Sequence, residues 1–250
     1  MTLRGLRIQI RCFNPQCRRL CSRPQVSSVD KEEVRVFSKL SSQWYDEDGY
    51  FKALHSLNTL RVPWILQNIN KKDAEIVDVG CGGGLLSVPL ARAGLHVTGL
   101  DATEEAVIAA RDVLESRPLQ LTGLSKRIIY HCFDAVVASE IVEHVADVDA
   151  FVEGCVRLAK PGAPLFFTTI NKTLASQVFA VWIAEDVLKF VPQGVHQWKK
   201  FVEPRHLTQV LERYGCSVRA INGFTYNPFT NQWYWIPSTA VNYACVAVKN

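Results

Sequence analysis

The sequence predicts an α/β protein in which a mostly parallel sheet is flanked by helices. Short apolar runs alternate with helical patterns through the middle of the 250-residue chain. A glycine-rich turn joins the first apolar run to the first helix, and an acidic residue ends the second run. Alternation of this kind is typical of strand–helix–strand units, because parallel strands must be joined by a crossover.

The predicted elements begin with a helical lead-in over residues 30–70, which Gly49 and Pro63 are expected to break. Short apolar runs between turn residues are expected to be buried strands, and Thr103, followed by acids, is expected to open a helix. The order is a strand at 74–80, a helix at 85–94, a strand at 96–101, a helix at 103–117, strands at 127–132 and 133–139, a helix at 141–159, a strand at 164–171, helix-rich sequence at 173–213, and closing strands at 218–224 and 241–249. This order predicts a Rossmann-like sheet.

The first 29 residues differ in composition from the rest of the chain. They contain no Asp or Glu but six arginines, namely Arg4, Arg7, Arg11, Arg18, Arg19 and Arg23. Such a segment is typical of mitochondrial transit peptides, with a disordered basic tail as the alternative. We therefore predict a transit peptide over residues 1–29, cleaved near residues 22–30, and one domain over residues 30–250. Because the basic excess lies in this segment, the net charge of +4 does not indicate nucleic-acid binding.

The glycine-rich turn VDVGCGGG contains Asp78, Gly80 and Gly82 and lies between the first predicted strand and helix. Glycines there let the backbone approach a ligand and leave N–H groups pointing outward at a helix N-terminus. Asp101 ends the next strand, where a carboxylate can accept both ribose hydroxyls of a nucleotide or cap the following helix. The turn matches the first motif of class I methyltransferases, whose cofactor is S-adenosylmethionine. Its opening acid disfavours an NAD-dependent dehydrogenase.

A cluster of acids and a histidine, SEIVEHV, follows the strand that ends at Ser139. Glu140, Glu143 and His144 have the i, i+3, i+4 spacing that places side chains on one face of a helical turn. Two carboxylates and an imidazole suit a hard divalent ion, or a general base that removes a phenolic proton. The alternative is an acidic helix N-terminus with a capping histidine.

Several segments together resemble the ubiquinone-biosynthesis O-methyltransferases, which are class I methyltransferases. The segments are SEIVEHV (139–145), TTINKT (168–173), GVHQWKKFVEP (194–204), YNPF (226–229) and VNYA (241–244). The resemblance runs from about Trp44 to Asn250, and this combination is much more specific to the family than the glycine turn. It implies methyl transfer from S-adenosylmethionine to hydroxyls of polyprenyl dihydroxybenzoate and demethylubiquinol.

The resemblance also implies a set of site residues. By it, Arg61, Gly80, Asp101 and Ser139 bind the cofactor, beside Asp78 and Gly82 of the glycine turn. Glu140, Glu143 and His144 fall on the family's ligands for Mg²⁺ or a similar divalent ion, which assists deprotonation of the hydroxyl. A peripheral position on the matrix side of the mitochondrial inner membrane and partners among other quinone-biosynthesis proteins are implied as well.

Residues 174–192 combine a wide apolar face with polar residues elsewhere, and no apolar run in the chain is long enough to span a bilayer. Most such amphipathic helices belong to a core. A polyprenyl substrate lives in a bilayer, however, and similar segments in the family lead us to favour peripheral membrane contact. His196 and Trp198 are candidates for flanking the mouth of the site, with ordinary packing as the alternative.

The predicted strands at 127–132 and 133–139 depart from the family pattern, because no turn or helix separates them. In this fold the two strands lie on opposite sides of the first two, so their connection must cross about 14 Å. Family members carry a short acidic helical segment here that walls the adenine. We expect one strand to serve as a linker or the sheet to lose its register. We hypothesise that cofactor binding is weakened and that much or all activity is lost.

Two rival functions stay open. A methyltransferase that acts on a soluble phenol would not bind membranes. A non-catalytic scaffold subunit of a biosynthetic complex would bind no cofactor, and the missing crossover favours it. The glycine turn and the E-x-x-E-H cluster favour an enzyme.

Overall fold

The computed structural model of the chain describes residues 27–116, 132–173, 176 and 200–250. Five predictions fall wholly or mainly outside these residues. They are the transit peptide, the strand at 127–132, the helix-rich stretch at 173–213, the amphipathic segment at 174–192 within it, and the pair His196 and Trp198. Each of them stays a prediction.

Helices and strands alternate along the described chain, as the sequence predicted. The helices are α1 (Lys31–Lys39), α2 (Lys52–Gln67), α3 (Ser87–Arg92), α4 (Glu104–Ser116), α5 (Val148–Leu158) and α6 (Pro204–Arg213), with single 3₁₀ turns at Ser41–Gln43 and Val142–His144. The strands are β1 (Glu75–Val79), β2 (His96–Leu100), β3 (Ala135–Ser139), β4 (Pro164–Ile170), β5 (Cys216–Asn227), β6 (Gln232–Ile236) and β7 (Asn242–Lys249).

These strands form one mixed sheet, whose order across the described residues is β2-β1-β3-β4-β7-β5-β6. The strands β2, β1, β3 and β4 are parallel. β7 runs antiparallel between β4 and β5, and β6 pairs antiparallel with β5. The predicted α/β fold is therefore confirmed. The carboxyl ends of the four parallel strands meet at one edge of the sheet.

Helices cover both faces of the sheet, because the central strands carry apolar side chains on both sides. On one face α2 packs Leu57 in the same buried cluster as Ile76 of β1. On the other face α5 and α6 bury Val152 and Leu211 with Leu165 of β4. Burying a side chain of this size stabilises the fold by about 1.5–3 kcal/mol relative to leaving it in water.

Helix α2 continues through Pro63, so the break predicted at that residue is wrong. An interior proline costs a helix about 3 kcal/mol, because its nitrogen donates no hydrogen bond and its ring crowds the preceding turn. Leu57, Trp64 and Ile65 are buried on both sides of the proline, and their packing offsets that cost. The break at Gly49 is present, since α2 begins at Lys52.

The helix predicted over residues 141–159 is two elements instead of one. Residues Val142–His144 form a single 3₁₀ turn, and α5 begins only at Val148. Asp147 is the N-cap of α5, and its carboxylate accepts a hydrogen bond from the N–H of Ala150 at 3.0 Å. Such a cap satisfies an N–H group that a helix leaves free at its start, which explains why α5 begins here.

The strand predicted at 218–224 is part of the longer strand β5, and the sequence did not predict β6. The two strands form a hairpin whose paired residues run from Gly223 with Ile236 to Asn227 with Gln232. The β6 sequence QWYWI is rich in aromatic residues that suit strands. Strand propensity depends strongly on neighbours, however, and a strand of only five residues shows little periodicity.

Strand β3 pairs with β1 in an unbroken parallel register, from Ile76 with Ala135 to Asp78 with Val137. The described sheet therefore does not show the loss of register that we considered from the sequence. Cys132, the last residue of the strand predicted at 127–132, is not part of a strand, and the rest of that segment lies outside the described residues. None of the described helices is long and apolar enough to cross a membrane.

Candidate active site

The glycine turn follows β1 and folds back against the end of β2. Gly80 and Gly82 have φ angles of 78° and 51°, in the left-handed region that favours glycine. The N–H groups of Gly80 and Cys81 donate to the carbonyl oxygen of Leu100 at 2.7 and 3.1 Å. These two N–H groups are therefore bound to the end of β2, whereas the outward N–H groups expected from the sequence were those at the start of the following helix.

Asp101 comes directly after β2 and binds the glycine turn. Its Oδ2 accepts a hydrogen bond from the N–H of Gly82 at 2.8 Å. Its Oδ1 accepts one from the N–H of Thr103 at 2.8 Å. Because α4 begins at Glu104 and the carbonyl oxygen of Thr103 accepts the N–H of Val107, Thr103 holds the N-cap position and the capping role considered for Asp101 is wrong. Each carboxylate oxygen has two lone pairs and can accept a further hydrogen bond from a ligand. The role of Asp101 as an acceptor for ribose hydroxyls stays a prediction that this geometry allows.

Trp44 covers the glycine turn, which the sequence did not predict. A Cβ atom on Gly83 would lie 2.3 Å from Cγ of Trp44, and one on Gly82 would lie 2.5 Å from Cη2 of the same ring. The ring is buried and stacks on Phe51, with 3.9 Å between the ring centroids. The hydroxyl of Tyr45 donates to the carbonyl oxygen of Gly83 at 2.5 Å. The lead-in segment thus closes over the turn.

Asp78 of β1 lies inside the fold next to the start of α3. The hydroxyl of Ser87 donates to Oδ2 of Asp78 at 2.6 Å. Burial raises the pKa of Asp78 to about 6, because it penalises the charged form more than Ser87 and Arg61 favour it. Asp78 was expected to contact the cofactor, and in the structure it ties β1 to α3.

Arg61 connects α2 to the end of β3. Its guanidinium is buried, donating from Nη1 to Oγ of Ser139 at 2.9 Å and from Nε to Oδ1 of Asn58 at 2.8 Å. Burial lowers the pKa of Arg61 to about 10, and the carboxylates of Glu140 and Asp78 oppose the shift. The guanidinium therefore stays charged at neutral pH. The structure brings Arg61 and Ser139 together, as the resemblance implied.

Glu140 follows β3 in an unusual conformation, with a φ angle of 55°. Its N–H donates to the carbonyl oxygen of Thr168 at 2.8 Å. Its Oε1 is buried and has no hydrogen-bond partner among the described residues. Burial raises the pKa of Glu140 to about 7, and the charge of Glu143 adds to the shift. Backbone strain and a carboxylate that titrates near neutral pH are typical of functional sites.

Glu143 and His144 are held by other parts of the protein. The hydroxyl of Thr169 donates to Oε2 of Glu143 at 2.6 Å. Nδ1 of His144 lies 3.1 Å from Oε2 of Glu33 in α1. The expectation that Glu140, Glu143 and His144 share one face of an α-helical turn is wrong, because Glu140 precedes the turn and residues 142–144 form a 3₁₀ turn.

Glu33 and Lys200 extend this cluster, although the sequence singled out neither. Nζ of Lys200 lies 2.7 Å from Oε1 of Glu33 and 2.8 Å from Oδ2 of Asp30. Burial opposes the charge on Glu33, but hydrogen bonds with His144 and Lys200 outweigh it and lower the pKa of Glu33. Burial likewise opposes the charge on His144, but the hydrogen bond with Glu33 and the nearby carboxylates raise its pKa. The partners of Glu33 are 111 and 167 positions away, so no local pattern could have revealed them.

The ligand set expected for a divalent ion is not assembled in this arrangement. Over the described ranges, no group of three or more His, Cys, Asp or Glu side chains is placed to hold a metal ion. Glu143 is bound to Thr169 and His144 to Glu33. Of the three expected ligands, only Glu140 has a buried oxygen without a partner in the described structure. As they stand, these residues do not fit the metal.

Relatives of known name cover most or all of the chain. Residues 77–167 match the family described as a methyltransferase domain. The chain is 40% identical to the mitochondrial ubiquinone biosynthesis O-methyltransferase of Rattus norvegicus, over 279 aligned positions that cover 100% of this chain and 79% of that protein. It is 36% identical to the ubiquinone biosynthesis O-methyltransferase of Pelagibacter ubique, over 90% of this chain and 100% of that protein. The rat alignment is longer than the 250-residue chain, so the rat protein has residues there that this chain lacks.

Solved structures of methyltransferases share the fold. Magnesium protoporphyrin IX methyltransferase from Synechocystis, with bound S-adenosylmethionine, superimposes with a TM-score of 0.60 at 17% identity, over 90% of this chain and 100% of that one. An S-adenosylmethionine-dependent methyltransferase from Aquifex aeolicus gives a TM-score of 0.58 at 16% identity, over 84% and 98% of the two chains. At these identities the likeness establishes the class I methyltransferase fold alone.

Proposed function

The chain belongs to the ubiquinone biosynthesis O-methyltransferase family, and we propose that it transfers the methyl group of S-adenosylmethionine to a phenolic hydroxyl. The observation that carries the proposal is the meeting of Gly82 and Asp101 at one edge of the sheet, where Arg61 also meets Ser139. These residues lie at or beside the carboxyl ends of the parallel strands, which is where open α/β sheets bind their ligands.

The residues at this edge fit such a cofactor. Asp101 keeps acceptor capacity for ribose hydroxyls, and the buried cation of Arg61 would bind a carboxylate group. Gly80 and Gly82 carry no side chains, but Ile141 and Trp44 pack against them, so a ligand could approach the turn at Gly82 only where Trp44 moves aside. When bound, the cofactor supplies a methyl group on a positively charged sulfur. The contribution of these residues is to hold that methyl group in line with the attacking oxygen.

Glu140 is the group that would accept the proton of the hydroxyl. Its Oε1 is buried without a described partner, and its pKa is about 7, so the carboxylate is substantially ionised at neutral pH. A general base is most effective when its pKa lies near the working pH. The carboxylate of Glu140 also bonds with Thr168, but its Oε1 stays without a described partner, whereas Glu143 is bound to Thr169 and His144 to Glu33.

The substrate that we propose is a polyprenylated ring with a free phenolic hydroxyl, either a dihydroxybenzoate or a demethylubiquinol. The names of the relatives support this choice. A soluble phenol is the alternative within the same chemistry. Turnover of a catechol with and without a prenyl tail, at equal cofactor concentration, separates the two.

The divalent metal implied by the resemblance enters no step of this proposal, since Glu143 and His144 are bound to Thr169 and Glu33. Titration of the chelator-treated protein with Mg²⁺, followed by calorimetry, tests the metal prediction independently of turnover. If Mg²⁺ bound saturably to the wild type and not to Glu140→Gln, the metal prediction would hold. Glu143 and His144 would then have to leave Thr169 and Glu33 to bind the ion.

We further propose that the protein acts in mitochondria, on the matrix side of the inner membrane, among other proteins of quinone biosynthesis. The composition of residues 1–29 and the mitochondrial relatives support the location. The amphipathic pattern of residues 174–192 supports peripheral contact with the membrane.

A scaffold without activity is the second candidate function, and one observation favours it. Trp44 packs directly against Gly82 and Gly83, so the lead-in segment covers the turn at which the cofactor would bind. If this cover does not open, the protein keeps the fold of its family without the chemistry.

Calorimetric titration with S-adenosylmethionine decides between the two candidates. An enzyme binds the cofactor saturably and loses the affinity in Asp101→Ala, whereas a scaffold shows no saturable binding. A matched control is Asp48→Ala, because Asp48 is an exposed acid before α2 whose ion pair in the described structure is with Lys52. Affinity that is equal in the wild type and in Asp101→Ala would refute the proposed site.

A further inference from the structure

The β5–β6 hairpin is set in a long uncharged stretch of the chain. No Asp, Glu, Lys, Arg or His lies between Arg219 and Lys249. Charged residues make up 21% of the whole chain, so this stretch differs sharply from the remainder. An exposed hairpin without charge cannot rely on ion pairs with a partner surface.

The same hairpin exposes large aromatic side chains. Phe229 at its tip is 90% exposed, and Tyr234 and Trp235 in β6 are 44% and 40% exposed. Adjacent residues of a strand point to opposite faces of the sheet, so Trp235 faces α2, where its ring centroid lies 5.8 Å from that of Trp64, and Tyr234 lies on the other face of the hairpin. The tip and the Tyr234 face therefore carry most of the aromatic surface that the hairpin leaves exposed, and Trp235 is partly covered by α2.

The hairpin extends beyond the edge of the sheet at which the candidate active site lies. Asn242 pairs both with Ile170, the last residue of β4, and with Phe224 of β5. Residues 225–227 therefore continue past the carboxyl end of β4, by roughly 10 Å at the usual rise of a strand. Phe229 therefore lies beyond the same edge of the sheet at which Ser139 ends β3.

Hydrogen bonds also fix the hairpin to the rest of the fold. Nε1 of Trp233 donates to the carbonyl oxygen of Ala53 in α2 at 2.8 Å. The loop after β6 is fixed to the end of β4, because Nδ2 of Asn171 donates to the carbonyl oxygen of Thr239 at 2.7 Å. Thr173 directly precedes the amphipathic segment. Its hydroxyl donates to the carbonyl oxygen of Ala240 in the same loop.

We propose that the β5–β6 hairpin inserts its aromatic tip into the interfacial layer of a lipid bilayer and so turns the edge of the sheet that carries the active site toward the membrane. Aromatic side chains favour the boundary between head groups and acyl chains, whereas charged side chains are costly there. Protein interfaces are enriched in arginine as well as in aromatic residues, and this hairpin has no arginine. The inference rests on the proposed function, in which the substrate tail resides in the bilayer.

The test is flotation of the full chain with phosphatidylcholine vesicles, comparing the wild type with Phe229→Ser, Phe229→Trp and Ile108→Ser. Ile108 is a matched control, because it is an apolar residue of α4 that is 48% exposed. We expect Phe229→Ser to lower the vesicle partition coefficient by about tenfold, as loss of a buried phenyl ring predicts. Phe229→Trp restores it, and Ile108→Ser leaves it unchanged.

Equal partition of Phe229→Ser and Ile108→Ser would overturn the proposal, as would flotation that is absent in the wild type. Sedimentation of the protein without vesicles tests whether the hairpin instead binds a second copy of the chain. A dimer that Phe229→Ser dissociates, in a protein that does not bind vesicles, would also overturn the proposal. Turnover of a tail-free catechol is measured on the same samples. Vesicle binding without turnover counts against the proposed function alone, and turnover without vesicle binding counts against the hairpin alone.

Discussion

The backbone N–H of Gly82 donates a 2.8 Å hydrogen bond to Oδ2 of Asp101, which joins the turn after β1 to the end of β2. The other carboxylate oxygen accepts the N–H of Thr103 before α4. One side chain therefore fixes the glycine turn, the end of a strand and the start of a helix. Its replacement is expected to change both the stability of the fold and the affinity of the site.

Asp101→Ala is expected to lower the free energy of unfolding by about 1–3 kcal/mol, because two N–H groups lose their acceptor. The affinity for S-adenosylhomocysteine should fall by at least about tenfold, since the ribose hydroxyls lose a charged acceptor. Urea unfolding and calorimetric titration measure the two effects. An unchanged affinity in a folded variant would remove Asp101 from the binding site.

Gly83→Ala is expected to destabilise the protein by about 1–3 kcal/mol, because the new Cβ would lie 2.3 Å from Cγ of Trp44. The matched control is Gly154→Ala in α5, where a Cβ meets nothing within 4 Å, and it should stabilise the helix by about 0.5–1 kcal/mol. In a Trp44→Ala background the cost of Gly83→Ala should shrink by about 1 kcal/mol. Additive effects in this double-mutant cycle would show that Trp44 is not the obstacle.

Arg61→Lys is expected to weaken cofactor binding by about tenfold or more, because one ammonium group cannot reproduce the planar fork that reaches Ser139 and Asn58 together. Arg35→Lys is the control, since Arg35 forms an exposed ion pair with Glu32 on the surface of α1. Equilibrium dialysis with labelled cofactor compares them. Equal affinities would mean that Arg61 supports the fold without touching the ligand.

The pH dependence of kcat/KM should follow Glu140. A general base must be deprotonated, so the rate is expected to rise with pH through about 7, the pKa of Glu140. Glu140→Gln should remove this limb and lower the rate by about a hundredfold or more. Glu153→Gln, which removes a partner of Arg157 along α5, should leave the profile unchanged. A limb that survives in Glu140→Gln would assign the titration to another group.

The stability of the Glu33–His144 pair should depend on pH in two opposite ways. The pKa of Glu33 is lowered from 4.5, so its contribution is present above that value and is lost as pH falls through the folded-state pKa. The pKa of His144 is raised from 6.5, so its contribution is present below that value and is lost as pH rises through the folded-state pKa. The difference in unfolding free energy between the wild type and Glu33→Gln should therefore be largest between pH 4.5 and 6.5.

Thermal or urea unfolding over a pH series measures this difference, which we expect to be about 1–2 kcal/mol at its maximum. Glu32→Gln is the control, because Glu32 lies in the same helix and pairs only on the surface. A difference that does not vary with pH would show that the pair is not charged in the folded protein.

Local patterns predicted the part of the site that local geometry builds. The glycine turn and Asp101 lie at the ends of adjacent parallel strands, and strand ends of this kind meet at one edge of a sheet. The contact between Gly82 and Asp101 therefore followed from two short segments that are 19 positions apart. The pairing of Arg61 with Ser139 was reachable only through the family resemblance, because 78 positions separate the two residues.

The rest of the site depends on packing that no local pattern contains. Trp44 lies over the glycine turn because the lead-in segment folds back across the sheet edge, and nothing in its own sequence indicates that position. The spacing of Glu140, Glu143 and His144 suggested one helical face, but Asp147 caps a helix that begins later. Helical spacing carries information only where a helix forms, and a 3₁₀ turn distributes the same residues differently.

Ser28 and Val29, at the start of the described chain, contact the segment after the 3₁₀ turn. Val29 bridges to Val145, and the carbonyl oxygen of Ser28 accepts the N–H of Ala146 at 2.9 Å. These two backbone contacts lie directly after the 3₁₀ turn that contains Glu143 and His144. If the predicted transit peptide were removed by cleavage after Val29, both contacts would be lost, whereas cleavage before Ser28 would keep them.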